Sequence, residues 1–177
     1  MRFADLHPLL QRLHREGGRL SGQVEFSPCA GIAGILGAIM RKRLGLTADD
    51  THTLSVAIRN ADDGLHWSRR FDAGKEVISV FRPVGRAADG YWLERAGPIE
   101  MKLTVEIVDG GWYWRQLGCR VFGITLPRWL APRVDAHKRI VGDGYRFSVV
   151  IALPGLGHAI DYGGTLTLEP ATAPASI

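Results

Sequence analysis

The sequence predicts a mainly β fold: about nine antiparallel strands in a strongly curved sheet or lipocalin-like barrel, preceded by two helices. Three observations carry this. Apolar and polar residues alternate with period two over most of the chain after Thr51. Asp, Asn and Gly turn residues recur between the alternating runs. Helical spacing is confined to the segment before Thr51. A two-sheet β-sandwich is the alternative, because that many twisted strands either curl closed or split.

In the first helix, Leu6, Leu9, Leu10 and Leu13 fall at i, i+3, i+4, i+7 and make one apolar stripe. Asp5 is the expected cap, Pro8 suits the first turn, and Gly17-Gly18 ends the segment. The second helix is expected over 31–44, where Ile32, Ile35, Leu36, Ile39, Met40 and Arg43 recur at helical spacing. Gly34 and Gly37 each disfavour a helix by up to ~1 kcal/mol relative to Ala, which suits close approach to a sheet. Arg41, Lys42 and Arg43 close the helix in favourable contact with its dipole.

The strands follow. Leu54, Val56 and Ile58 share one face, as do Leu65, Trp67, Arg69 and Phe71, then Val77, Ser79 and Phe81. Ile99, Met101, Leu103, Val105 and Ile107 alternate with polar residues in the cleanest half-buried strand. Asp109-Gly110-Gly111 is a hairpin turn into a strand over 112–122. Tyr145, Phe147, Val149, Ile151 and Leu153 form one face of the next strand, and Ile160, Tyr162, Leu166 and Leu168 one face of the last. Residues 60–64, 86–90 and 155–157 supply further turns. Pro127 and Pro132 preclude a regular strand over 126–134, which is expected to be an ordered loop with one helical turn.

The length, 177 residues, suits one domain, expected over 1–168 with a frayed tail over 169–177. A hydrophobic fraction of 46% with 23% charged residues excludes a disordered chain. The net charge of +4 is spread without an aromatic-interleaved basic stripe, so no nucleic-acid partner is expected. Cys29 and Cys119 make neither a disulfide framework nor a zinc pattern, which fits a reducing compartment. The best apolar run, 30–40, is short of the ~20 residues that span a bilayer. The expected location is cytoplasmic, with no membrane span.

Signatures for nucleotide, metalloprotease and serine-hydrolase chemistry are absent, and no cofactor or metal is indicated. The six histidines stand singly; His7 and His14 can share a face of the first helix, expected at the surface. The informative feature is polarity on an apolar face. Arg69 shares its face with Trp67 and Phe71, and burying a lone guanidinium is costly. Glu94 is a candidate partner. Tyr162 lies beside Ile160 and Leu166, and Gln116 beside Trp112 and Trp114. Arg69, Glu94, Gln116, Tyr162 and Trp67 are therefore the candidate ligand-binding set, a few polar groups in an apolar pocket. The plainer reading is a structural Arg69–Glu94 pair, with Tyr162 bonded to backbone. No catalytic residue is assigned.

A run of short segments resembles a known family. Trp67-Ser68-Arg69-Arg70-Phe71, Ser79, Leu93-Glu94-Arg95-Ala96-Gly97-Pro98, and the loop Leu126-Pro127-Arg128-Trp129-Leu130-Ala131-Pro132 come in order. Gly144-Tyr145-Arg146-Phe147, Leu153-Pro154-Gly155 and Tyr162-Gly163-Gly164 follow. Together they resemble domain-of-unknown-function family 4166, from Leu6 to about Leu166. The resemblance implies a bacterial module often found C-terminal to a Rossmann-type, saccharopine-dehydrogenase-like or epimerase-like domain. It supplies no catalytic residues. This sequence carries no Rossmann half, so an oxidoreductase partner would be a separate protein. Ala136-His137-Lys138 stands where the resemblance leads one to expect an acidic residue, so no carboxylate role is carried over there.

Three functional readings follow. The first is a module binding a small apolar or anionic ligand in a barrel cavity anchored by Arg69. The second is an accessory domain docking on an NAD(P)-dependent oxidoreductase. The third is an enzyme without a recognisable motif, using Glu94, Arg69 or Tyr162. A cavity reached by Arg69 favours the first, an exposed apolar patch the second, and hydrogen-bonded convergence of those polar groups the third.

Overall fold

The period-two segments join into one sheet that closes on itself. The computed structural model describes residues 3–43, 46–47, 49–86 and 89–170. The strands are β1 (Gly18–Phe26), β2 (Thr51–Ala61), β3 (Gly64–Phe71), β4 (Glu76–Val84), β5 (Tyr91–Ala96), β6 (Ile99–Val108), β7 (Gly111–Val121), β8 (Ile124–Thr125), β9 (Arg133–Val141), β10 (Gly144–Leu153) and β11 (Gly157–Leu168). Their order is β6-β5-β4-β3-β2-β1-β11-β10-β9-β7-β8, and β6 also pairs with β7. Ten strands thus make a closed antiparallel barrel, with short β8 appended to β7. Hydrogen bonding runs unbroken round the ring, which excludes the two-sheet sandwich.

Three strands of the ring, β1, β5 and β9, are not among the period-two runs of the sequence. In β1, Leu20, Val24 and Phe26 are buried, but Gly22 interrupts the inward row. A Cβ on Gly22 would lie 2.5 Å from the Thr165 carbonyl oxygen of β11, so the backbones meet there at glycine. In β9 the inward row is Val134, Ala136, Lys138 and Ile140, and a lysine breaks its apolar pattern. The Pro127 loop does make one helical turn before it: the amides of Leu130 and Ala131 both donate to the Pro127 carbonyl at 2.9 Å.

Helix α1 (Pro8–Glu16) plugs one end. Leu10 and Leu13 are 0% and 1% exposed and join the barrel core. The cap is His7 rather than Asp5: its Nδ1 accepts from the Leu9 amide at 3.2 Å. The His7 amide donates to the Gly110 carbonyl at 2.9 Å, pinning α1 to the β6–β7 turn. In that turn Asp109 and Gly110 have φ of 49° and 74°, the left-handed pair that a tight hairpin needs. Asn60, at the β2–β3 hairpin, donates to the Arg15 carbonyl at 2.8 Å and holds the other end of the helix.

Helix α2 (Gly31–Arg43) lies at the opposite end, against β11. Its small residues Ala33, Gly34 and Gly37 face the barrel and are buried. A Cβ on Gly37 would sit 1.6 Å from the Ala159 carbonyl oxygen, so the expected close approach is real and requires glycine. At the chain end, the Glu169 amide donates to the Arg19 carbonyl at 2.9 Å. The rest of the tail expected to fray, 171–177, lies outside the described residues.

Two substitutions separate the roles of the helices. Leu13→Ala removes a fully buried side chain and is expected to lower the free energy of unfolding by ~3 kcal/mol in a urea titration. Gly37→Leu forces α2 off β11; amide exchange is expected to speed up in 31–43 while the ring strands stay protected.

Candidate functional site: a polarised cavity

The open half of the barrel holds a cavity of about 470 Å³. Phe26, Leu54, Phe71, Phe81, Phe147 and Ile160 make much of its wall. The lining also includes Met40 and Arg41 of α2 and Gly97 of the β5–β6 turn. Met40 and Gly97 are exposed, so the mouth is at the α2 end. The polar lining is small and specific: Arg69, Ser79, Glu94, Lys138, Tyr145 and Tyr162.

Strand register places each of these groups. Arg69 sits on β3 between Val56 and Val77, and its Nη1 donates to Ser79 Oγ at 3.0 Å. Ser79 is 1% exposed, so this bond is shielded from water. Glu94 on β5 pairs with Phe81 and Met101 and is buried. Lys138 on β9 lies between Trp112 of β7 and Phe147 of β10. Its ammonium nitrogen is 4.0 Å from the Trp67 ring centre, 4.9 Å from Trp112 and 5.9 Å from Trp114. Arg69 approaches Trp67 too, with Cζ 6.0 Å from the ring centre. Tyr162 stacks on Phe26 at 4.9 Å.

Electrostatics follow from this burial. Desolvation pushes the Lys138 amine well below its ordinary pKa, Arg69 pushes the same way, and Glu94 opposes them. The indole faces favour the charged form, but they are no substitute for the water lost. Burial raises the phenols of Tyr145 and Tyr162. At the mouth, Arg41 places Cζ 4.5 Å from the Phe26 ring centre and donates from Nη2 to the Asp49 carbonyl at 2.6 Å. Its Nε is buried with no hydrogen-bond partner among the described residues.

Arg69, Glu94, Tyr162 and Trp67 therefore line one cavity. Gln116 does not. Its amide donates to the Pro132 carbonyl at 2.8 Å and accepts from the Val134 amide at 3.0 Å, stitching β7 to the start of β9. Among the described residues no ion pair or hydrogen bond joins Arg69 to Glu94, the plainer pairing expected from sequence; Arg69 donates to Ser79 instead. Among the described residues no hydrogen bond joins Arg69, Glu94 and Tyr162. No group of three or more metal-ligating side chains lies among the described residues.

Two residues were misplaced or missed by sequence reasoning. Lys138 was noted only as the residue where an acid was expected; the signal for its inward position was its parity with Val134 and Ala136. His14 is not simply a surface residue. Its ring stacks on Trp112 with centres 4.2 Å apart, and its Nε2 is shielded from water with no hydrogen-bond partner among the described residues. Burial, helped by Lys138, lowers its pKa from 6.5 to about 2.

The His14 shift has a pH signature. Its folded pKa lies below the unfolded one, so its contribution to stability is complete above pH 6.5 and is lost as pH falls toward 2. The slope is at most ~1.4 kcal/mol per pH unit, less because the residue is partly exposed. Urea midpoints measured between pH 7 and pH 4 should fall less steeply in His14→Phe, which keeps the stacked ring and removes the proton site.

Comparison with known proteins adds one assignment. A family model described as a domain of unknown function (DUF4166) matches residues 6–166. No curated protein and no solved structure matches the chain. With the match covering most of its length, the chain belongs to the DUF4166 family of domains of unknown function.

Proposed function

We propose that the barrel binds a small, largely apolar ligand that carries an anionic head group. The observation that carries this is an imbalance of charge. Arg41, Arg69 and Lys138 line an otherwise apolar cavity in which Glu94 is the carboxylate. Cations left short of acceptors in such a place are expensive. A ligand carboxylate, sulfonate or phosphate would supply acceptors to Arg69 and favour the charged form of Lys138, while its apolar body meets the Phe-rich wall. The free thiols of Cys29 and Cys119 support a cytoplasmic setting.

The second reading, an accessory domain docked on a separate oxidoreductase, is favoured by exposed apolar residues such as Ile35, Phe122 and Trp129, but it gives the cavity's cations no task. The enzyme reading requires hydrogen-bonded convergence of Arg69, Glu94 and Tyr162, and no hydrogen bond joins them among the described residues. Both are weaker than ligand binding on that ground.

The test uses anilinonaphthalene sulfonate as an anionic apolar probe, displaced by medium-chain carboxylates and by alcohols of equal chain length. The acids are expected to bind at least about tenfold more tightly than the alcohols. Arg69→Met should weaken acid binding by about tenfold or more, while Glu94→Gln strengthens it by removing a like charge. Lys138→Met should weaken it too, with stability unchanged or raised, because a buried amine is replaced by an apolar chain of similar size. Equal affinity for acid and alcohol, or weaker acid binding in Glu94→Gln, would overturn the proposal.

A further inference from the structure

Helix α2 is oriented against the usual rule. Its small residues face the barrel, and its large ones face solvent: Ile32, Ile35 and Ile39 are 60%, 65% and 48% exposed. Strand polarity puts further exposed apolar side chains at the same end. Phe122, between β7 and β8, is 80% exposed, and Trp129, in the turn before β9, is 73% exposed. The β10–β11 turn adds Leu156, 43% exposed. At the opposite end, capped by α1, Leu6, Leu10 and Leu13 are buried, and the exposed apolar residues are Phe3, Val108 and Val141, at 36%, 41% and 50%. Apolar side chains crowding one end mark an interaction surface.

Charge identifies the partner. Residues 27–47 and 116–133 carry all of these apolar groups but Leu156, and neither stretch contains Asp or Glu. They contain Arg41, Lys42, Arg43, Arg120, Arg128 and Arg133. Arg120 is partly occupied by Glu100 at 3.5 Å. At this end Asp72 bonds His52 and the Thr53 amide, and Asp49 bonds Thr47; Glu25, Asp50, Glu76 and Asp135 are exposed carboxylates on its other segments. An apolar helix face ending in cations, beside an exposed Trp flanked by arginines, has the make-up of an interfacial membrane anchor.

We infer that the α2 end docks on an anionic lipid surface, with α2 lying in the headgroup plane and the 127–131 turn inserting Trp129. The cavity mouth opens on this end, so docking presents it to the bilayer. The inference rests on the rim and not on what fills the cavity, so the two succeed or fail separately.

The experiment is sedimentation of the full chain with vesicles of equal parts phosphatidylglycerol and phosphatidylcholine, beside vesicles of phosphatidylcholine alone. Binding is expected to the anionic vesicles, and to weaken as salt rises. The double variant Ile35→Glu, Ile39→Glu should bind at least about tenfold more weakly, and Lys42→Glu roughly fivefold or more. Both sites are solvent-facing, so the melting temperature and probe binding in the cavity should be unchanged. Vesicles should shift tryptophan emission to the blue, and Trp129→Phe should remove most of that shift. The inference fails if anionic vesicles bind no more protein than neutral ones. It fails equally if the chain dimerises in solution and the Ile35/Ile39 variant is monomeric, because the face is then a protein interface.

Discussion

The pairing that closes the ring, β1 on β11 and β6 on β7, is what the rest of the molecule depends on. An open curved sheet would leave one end of each inward row near water. Closure removes the whole inner face from solvent at once, so any polar side chain with inward parity becomes a buried group. Val56–Arg69–Val77 and Trp112–Lys138–Phe147 are ordinary register triplets; closure alone turns their middle members into buried or half-buried cations. Removing such charges from water costs several kcal/mol each, and nothing in the cavity wall returns that in full. Ser79 Oγ accepts one hydrogen bond from Arg69, and three indoles face Lys138. That arrangement makes sense if stability has been given up for affinity.

The two ends of the barrel solve opposite problems with the same kind of element. Helix α1 uses its large residues as a plug and fixes both its ends to hairpins, at Gly110 and through Asn60. Helix α2 uses glycine and alanine to lie flat on β11, and so cannot plug anything. The difference is set by side-chain volume. Leucine at the inner positions fills the α1 end, whereas Gly37 lets α2 lie against the Ala159 backbone and Gly34 lets its first turn close on the Cys29 carbonyl, with the isoleucines outward. The seating of α2 thus follows from two glycines as much as from the sheet.

Much of the fold was legible because period two survives wherever one face meets a uniform apolar interior. β6, β7, β10 and β11 show this, as does the Asp109-Gly110 turn. The exceptions are instructive. β1 lost its period at Gly22, where backbone contact with β11 replaces a side chain. β9 lost it at Lys138, where the interior is not uniform. The site was legible through Arg69 and Tyr162, whose faces were clear, and obscure at Lys138, whose strand was hidden behind the Pro127–Pro132 loop. Gln116 had the right parity, but a side chain long enough to reach Pro132 and Val134 serves the chain break there. His14 is placed by its stacking on Trp112 across the barrel, a long-range contact that helical spacing does not report.

These failures share one physical cause. Local patterns assume that inward means apolar, and the cavity is where that assumption stops holding. β9 connects both of its anomalies. Gln116 anchors its start and leaves the register of Val134, Ala136 and Lys138 fixed by β10 on one side and β7 on the other. A side chain held by two neighbouring strands has little freedom to move its amine toward the mouth, so Lys138 stays in the aromatic wall. Arg69 is held similarly by β2 and β4, with Ser79 fixing the orientation of its guanidinium. The backbone positions of both residues are thus set by the barrel, and a ligand of the proposed kind would lose less entropy in ordering them.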